Sequence, residues 1–298
     1  GPAVAQTSAI FDDFWNSASV IPLSALTTAE PDALEKLREN GDAGYRSAQA
    51  ADYVARLRGT PGVRALVGGN ALHWLDEVGV YSDPASKGQG EGQGQWLVHR
   101  LGRAMGEAKR ELRVISPYFV PGTEGTRWLV GKRAEGVDVS VLTNSLAAND
   151  VMAVHGGYAP YRMPLLEGGV DLFELMPHGK QDSSLFGSSG ASLHTKAFAV
   201  DGEGGFIGSF NLDPRSVNLN TEMGVLFRDR SAAAALLRSY EAKIAADRSY
   251  RVRLQDGALR WEDASTQPPR VWDREPEASV WRRWTARAVG WLPVESQL

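Results

Sequence analysis

His194-Thr195-Lys196-Ala197-Phe198-Ala199-Val200-Asp201, followed by Gly208-Ser209-Phe210-Asn211, is the stretch on which both the fold and the chemistry turn. Its apolar middle reads as a short buried strand, and residues two apart on a strand share a face. His194 and Lys196 then point the same way, with Phe198 and Val200 continuing that face toward the interior. A titratable imidazole beside a permanent cation suits a phosphate diester. Lys196 and the Asn211 amide can hold non-bridging oxygens. Ser209 can add a hydroxyl donor, and His194 can attack phosphorus or pass a proton. Glu222 can hold one imidazole nitrogen and so fix the tautomer. Gly208 lets the backbone come close where a phosphate must sit. Without the following GSxN, an ordinary His/Lys pair on an exposed strand would be the better reading.

Outward from this stretch, helical and extended patterns alternate. Gln95–Ala108, Thr126–Ala134, most of Asn149–Leu166 and Ser231–Asp247 read as helices. Glu111–Ser116, Val137–Leu142, Val170–Leu175, Lys196–Val200, Gly205–Gly208 and Met223–Phe227 read as strands. This alternation makes an α/β fold, a sheet covered by helices. Tyr118, Asn144 and His155 lie just beyond strand ends, where α/β sites gather, and are substrate-binding candidates. Turn-making, capping and a helix-surface histidine are the plain alternatives for them. Tyr161-Arg162 reads as a packed ring beside a solvated cation. His73, His99 and His178 read as structural or surface residues.

The composition excludes several classes of function. The 298 residues contain no cysteine, which removes disulfide scaffolds, Cys-ligated metals and thiol nucleophiles. A net charge of −4 gives no support for broad capture of nucleic acid. No stretch approaches the ~20 apolar residues that span a bilayer. The chain opens on Gly1-Pro2 in place of Met, which fits a protease scar or a mid-protein junction. Ile10–Trp15 reads as the end of a helix, and Pro31–Asn40 and Arg46–Arg58 as two more. A strand is expected within 71–81. Lys87–Gly94 is glycine-rich, but no GK[ST] closes it, so it reads as a flexible linker. At the other end, Trp281, Trp284, Ala288, Trp291 and Leu292 share one helical face, and Arg282, Arg283 and Arg287 another. Such a helix either docks on its own domain with its arginines in solvent or meets a membrane surface.

The run HTKAFAVDGEGGFIGSFN matches HxKx4Dx6GSxN, and through it the chain resembles the phospholipase D superfamily. Ile115–Gly122, Leu142–Val151, Val154–Tyr158, Tyr161-Arg162, Asn211–Ser216, the opening residues and the final Leu292–Leu298 are similar to bacterial cardiolipin synthases of the C type. The resemblance covers nearly the whole chain. It implies a phospholipase D-like domain with a mixed central sheet flanked by helices on both faces. It also implies that 1–20 trail from a missing N-terminal domain and that 21–93 form a helical linker region with the Gly-rich loop. The catalytic domain would then be 94–250, and 251–298 an extension carrying the Trp/Arg helix.

Family members carry two such motifs that meet at one site, and this chain has one. The near-miss His178-Gly179-Lys180 has Leu185 where the motif needs Asp. The resemblance therefore implies the C-terminal half of a two-motif enzyme whose N-terminal half supplies the nucleophilic histidine. His194 would be the general acid and then base, and Lys196, Ser209 and Asn211 would bind phosphate. Asp201 belongs to the catalytic motif with a structural role expected, and Glu222 would orient His194. The implied reaction moves a phosphatidyl group from a second phospholipid onto phosphatidylglycerol through a phosphohistidine, without metal or cofactor. The implied location is the periphery of a bacterial membrane, on its cytoplasmic face, with no nucleic acid as partner. A phospholipase D hydrolase, a single-motif nuclease completed by dimerisation, and a silent lipid- or partner-binding domain remain alternatives.

Overall fold

The computed structural model describes residues 1–28, 30–59, 63–64, 68, 74–75, 77–177, 193–290 and 297. The His178-Gly179-Lys180 near-miss, His73, Trp291 and Leu292 lie outside these residues. The chain divides into two compact units, one of residues 16–75 and one of residues 1–15 and 76–298. Helix α1 (Pro2–Trp15) opens the larger unit. The smaller holds α2 (Leu23–Leu26), α3 (Ala33–Tyr45) and α4 (Ala48–Gly59). Helix α3 runs through Gly41, which the sequence pattern places just past its end.

Among the described residues the larger unit is built on ten strands. These are β1 (Val78–Ser82), β2 (Glu111–Ile115), β3 (Asp138–Asn144), β4 (Asp171–Leu175), β5 (Lys196–Val200), β6 (Gly204–Gly208), β7 (Met223–Arg228), β8 (Ser249–Gln255), β9 (Ala258–Asp263) and β10 (Arg270–Trp272). They form one sheet in the order β1-β7-β6-β5-β2-β3-β4-β8-β9-β10. β2, β3 and β4 run parallel, and all other neighbours are antiparallel, so the sheet is mixed.

Between the strands run α5 (Leu97–Gly106), α6 (Gly122–Ala134), α7 (Met152–Tyr158), α8 (Arg162–Glu167), α9 (Pro214–Asn218) and α10 (Arg230–Ile244), and α11 (Val280–Gly290) follows the last strand. Leu97, Leu101 and Met105, one stripe at i, i+4 and i+8, bury α5 against Leu112, Val114 and Phe198 of the sheet. Leu129 of α6 and Leu165 of α8 join the same core. On the other face Tyr240 of α10 lies 2.5 Å from Ser140 Oγ. Helices thus cover both faces.

Two expected boundaries shift. Strand β1 lies inside the expected linker yet pairs with β7, with Val80 opposite Val225. The glycine-rich run is a pair of tight turns, with Gly90 and Gly92 at positive φ (79° and 66°) and Lys87 buried between them and the sheet domain. At the far end the sheet continues past residue 250 through β8, β9 and β10. Glu174 of β4 explains part of that continuation: its buried carboxylate accepts from Trp261 Nε1 of β9 at 2.9 Å.

The topology places the site. β5 is antiparallel to β2, with Ala197 opposite Ile115. The start of β5 therefore lies at the edge where the parallel strands β2, β3 and β4 end. His194, Tyr118 and Asn144, distant in sequence, arrive at that one edge.

Candidate active site

His194 sits just before β5 and is exposed, whereas Lys196, the first residue of the strand, is 7% exposed. The Lys196 ammonium lies 3.4 Å from both ring nitrogens of His194 and donates to the His194 carbonyl oxygen at 2.9 Å. Strand alternation brings the two side chains to one side, as the sequence pattern requires. Burial pulls the Lys196 pKa below its usual value, and the carboxylates of Glu222, Asp213 and Asp150 pull it back upward. A cation held between these influences is a fixed electrostatic anchor for a phosphate oxygen. The ring of Tyr118 lies 5.9 Å from the same ammonium. Its hydroxyl donates to Asp150 at 3.0 Å, and burial followed by that carboxylate pushes its pKa up to about 12.

Behind the pair lies a buried polar network. Ser209 Oγ donates to Glu222 Oε2, and Ser216 Oγ and Asn220 Nδ2 donate to Oε1 at 3.0 and 3.2 Å. The Glu222 amide donates to Asp83 Oδ2 at 2.9 Å, and Asp83 forms a fully buried ion pair with Lys87 at 2.7 Å. Lys87 also donates to the Ser216 carbonyl at 2.8 Å, which closes the network onto α9. Asp213 caps α9, accepting from the Ser216 amide at 2.7 Å. Burial, aided by nearby Glu222, raises the Asp213 pKa to about 6 against the opposing bonds from Ser216. The Asn211 backbone amide donates to Ser216 Oγ at 3.2 Å, while its buried Oδ1 has no protein partner.

Several sequence expectations need correction. Glu222 does not bond the His194 imidazole; its oxygens are taken by Ser209, Ser216 and Asn220, so it orders the serine. Gly208 is not kept free for a phosphate, because a Cβ there would lie 2.4 Å from the Phe206 ring, itself stacked on Phe198. Asp201 lies at the opposite end of β5 from His194. With φ of 54° its carboxylate accepts from the backbone amides of Lys109, Arg110 and Glu111 at 2.9, 2.7 and 2.9 Å. It joins the turn after β5 to the start of β2 and touches no reacting group. Asn144 is buried: its Nδ2 donates to the Leu193 carbonyl at 3.2 Å and its Oδ1 accepts from the Leu193 amide at 3.1 Å. It grips the residue before His194 and offers nothing to a substrate.

His155 is fully buried away from this group, 3.2 Å from Glu275. Arg162 is likewise not a solvated cation. It is 2% exposed and pairs with Glu174 at 2.9 Å and Glu275 at 2.7 Å. Their attraction, set against burial, raises the Arg162 pKa, and Glu275 is correspondingly held below the usual carboxylate range. Sequence reasoning missed this cluster, together with Asp83 and Lys87. The i,i+4 spacing of Asp83 and Lys87 was a weak local signal, but Glu222 and Ser216 are far along the chain.

The fold and site together define a phospholipase D-like domain: a mixed sheet with a His/Lys pair and a GSxN turn at one edge. Residues 101–244 match the family model described as cardiolipin synthase, PLD-like domain. Cardiolipin synthase C of Escherichia coli is 36% identical over 303 residues, covering 99% of this chain and 64% of that protein. Cardiolipin synthase A of Yersinia pseudotuberculosis is 29% identical over 199 residues, covering 66% of this chain and 34% of that protein. The crystal structure of phosphatidylserine synthase from Haemophilus influenzae shares the fold, with a TM-score of 0.50 at 15% identity over 96% of this chain and 57% of that one. By these matches the chain is similar to cardiolipin synthase PLD-like domains of the phospholipase D superfamily. It spans less than two thirds of the length of the curated relatives it matches.

Proposed function

We propose that this chain is the C-terminal half of a phosphatidyltransferase that makes cardiolipin by transferring a phosphatidyl group onto phosphatidylglycerol. The observation that carries the reading is the exposed His194 imidazole with the Lys196 ammonium held against it. Lys196 and Asn211 bind the non-bridging oxygens, and Ser209, whose single hydroxyl proton goes to Glu222, stays within the network behind them. A histidine of the N-terminal half attacks phosphorus, forming a P–N bond as the P–O bond to the departing alcohol breaks. His194 gives its proton to that alcohol. It then takes the proton of the incoming phosphatidylglycerol hydroxyl as the P–N bond breaks. General acid–base work of this kind contributes ~10²–10⁴-fold.

Contact with lipid is assigned to the outer face of α11, where Trp281 and Trp284 are 75% and 61% exposed. No helix among the described residues is long and apolar enough to cross a membrane. A peripheral contact with a bacterial membrane is therefore the association proposed.

The test uses the chain assembled with its N-terminal half and follows conversion of phosphatidylglycerol to cardiolipin. His194→Asn should reduce the rate at least ~10²-fold with the circular dichroism spectrum unchanged. A phosphatidyl ester of p-nitrophenol, whose leaving group needs no proton, should restore a burst of nitrophenolate in that variant. Unchanged cardiolipin synthesis rejects the site. An absent burst rejects the proton-donor role.

A further inference from the structure

A cleft of about 490 Å³ lies between α7, α8, β9 and α11, and its lining includes none of the His194 group. Helix α11 is seated closely along it: a Cβ at Gly156 of α7 would lie 2.4 Å from the Ala286 carbonyl oxygen. Five arginines line the cleft, Arg162, Arg260, Arg274, Arg283 and Arg287, against the two carboxylates of Asp273 and Glu275. Glu275 is already engaged by Arg162 and His155. Arg283 donates to the Glu275 and Ala278 carbonyls at 3.3 and 2.6 Å but keeps its charge. Among the described residues Arg260 donates along its own strand, to Leu259 O at 2.9 Å.

The buried wall adds an independent signal. Arg162 Nη2 lies 2.5 Å from His155 Nε2. Nε2 also lies 3.2 Å from Glu275 Oε1, so the Arg162/Glu275 pair occupies that nitrogen and leaves Nδ1 as the ring's remaining polar atom. That Nδ1 is buried and has no partner. A buried ring nitrogen without a partner is unfavourable, and His155 lines a cleft with an excess of positive charge.

The geometry points to a second anion site, separate from the phosphotransfer site, that takes a phosphate group: a phospholipid headgroup or a free phosphate ester. Arg260 and Arg287 form its charged rim. Leu146 lines the cleft and belongs to the loop whose Asp150 holds Tyr118. The cleft is thus one loop removed from His194. Assignment of a lipid headgroup to it rests on the phosphatidyl-transfer reading, whereas the anion site itself does not.

The test measures binding to the full chain in two arms. In one, inorganic phosphate and glycerol 3-phosphate are titrated by calorimetry. In the other, the chain is sedimented with vesicles of phosphatidylcholine alone or mixed with phosphatidylglycerol. Arg260→Gln with Arg287→Gln should weaken binding at least about tenfold, the loss of one charge-assisted contact or more. Arg38→Gln with Arg230→Gln, which removes the same charge from solvated positions, should leave binding unchanged. Loss confined to the calorimetric arm assigns a free phosphate ester, and loss in the phosphatidylglycerol arm assigns a headgroup. Three results overturn the site: no binding in either arm, no loss with the Arg260/Arg287 pair, or equal loss in both arginine pairs. Failure of cardiolipin synthesis with cleft binding intact rejects only the transfer reading.

Discussion

Asn144 spends both ends of its side-chain amide on the backbone of Leu193, so the chain entering β5 is fixed one residue before the imidazole. The consequence for activity is separable from that for stability. Asn144→Ala removes two buried hydrogen bonds and should lower stability by roughly 2 kcal/mol. Its larger effect should be on turnover: a misplaced His194 lowers kcat on the order of 10²-fold with KM little changed. Asn144→Asp keeps the acceptor and should recover part of kcat. A variant that loses only stability, with normal kcat per folded molecule, rejects the positioning role.

Asp213 gives a signed pH effect at the same scale. Its carboxyl is raised to about 6 in the folded chain, so it holds a proton that the unfolded chain has released. That stability is complete below about pH 4 and is lost as pH rises through about 6. Asp213→Asn, which retains a good helix cap, should make the loss of stability between pH 4 and pH 7 smaller by on the order of 2 kcal/mol. Urea unfolding of both proteins at the two pH values measures it, and an identical difference removes Asp213 from the account. Nothing in the sequence around Asp213 shows this shift, because it comes from burial beneath segments remote in the chain. The His194/Lys196 relation, by contrast, was legible, because strand alternation is a local rule.

Helix α11 shows what an amphipathic pattern can and cannot tell. The sequence separates a tryptophan face from an arginine face, and the structure keeps the two apart. It reverses the outward one, however. Arg282 donates to the carbonyls of Leu146 and Asn149, and Arg283 to those of Glu275 and Ala278. Those free carbonyls belong to loops whose course no helical periodicity records. Trp281 and Trp284 are left in solvent, where large rings are unfavourable unless a lipid interface or partner receives them. Trp281→Ala with Trp284→Ala should therefore lower affinity for phosphatidylglycerol vesicles about tenfold or more, with folding stability within about 0.5 kcal/mol of the parent. Vesicle affinity unchanged in the double variant excludes α11 as the membrane contact.

For the whole molecule, the division of the chain follows burial more than composition. The strands around the site were readable because apolar runs of five or so residues alternate with helical stripes. The boundaries at 93 and 250 were not readable, because β1 and β9 earn their places through partners far away: β7 for the first, β8 and Glu174 for the second. The described residues of α2 and α3 include none that is buried, and Leu34, Leu37, Tyr45 and Tyr53 of α3 and α4 stand exposed. Leu112, Val139, Val141 and Leu172 at the centre of the sheet are essentially inaccessible. Local opening free energy scales with such buried contact. Amide hydrogen exchange should thus be graded across one chain. The amides of α3 and α4 should exchange by local opening, and those of β2, β3 and β5 only through global unfolding of the sheet unit. Their free energies of exchange should differ by several kcal/mol, since the sheet sets a stability of ~5–15 kcal/mol and short solvated helices are marginal by themselves. Added denaturant discriminates further: sheet amides should show the full urea dependence of unfolding and helix amides almost none. Equal protection and equal urea dependence in the two sets would show one cooperative unit and reject the division at residues 16 and 75.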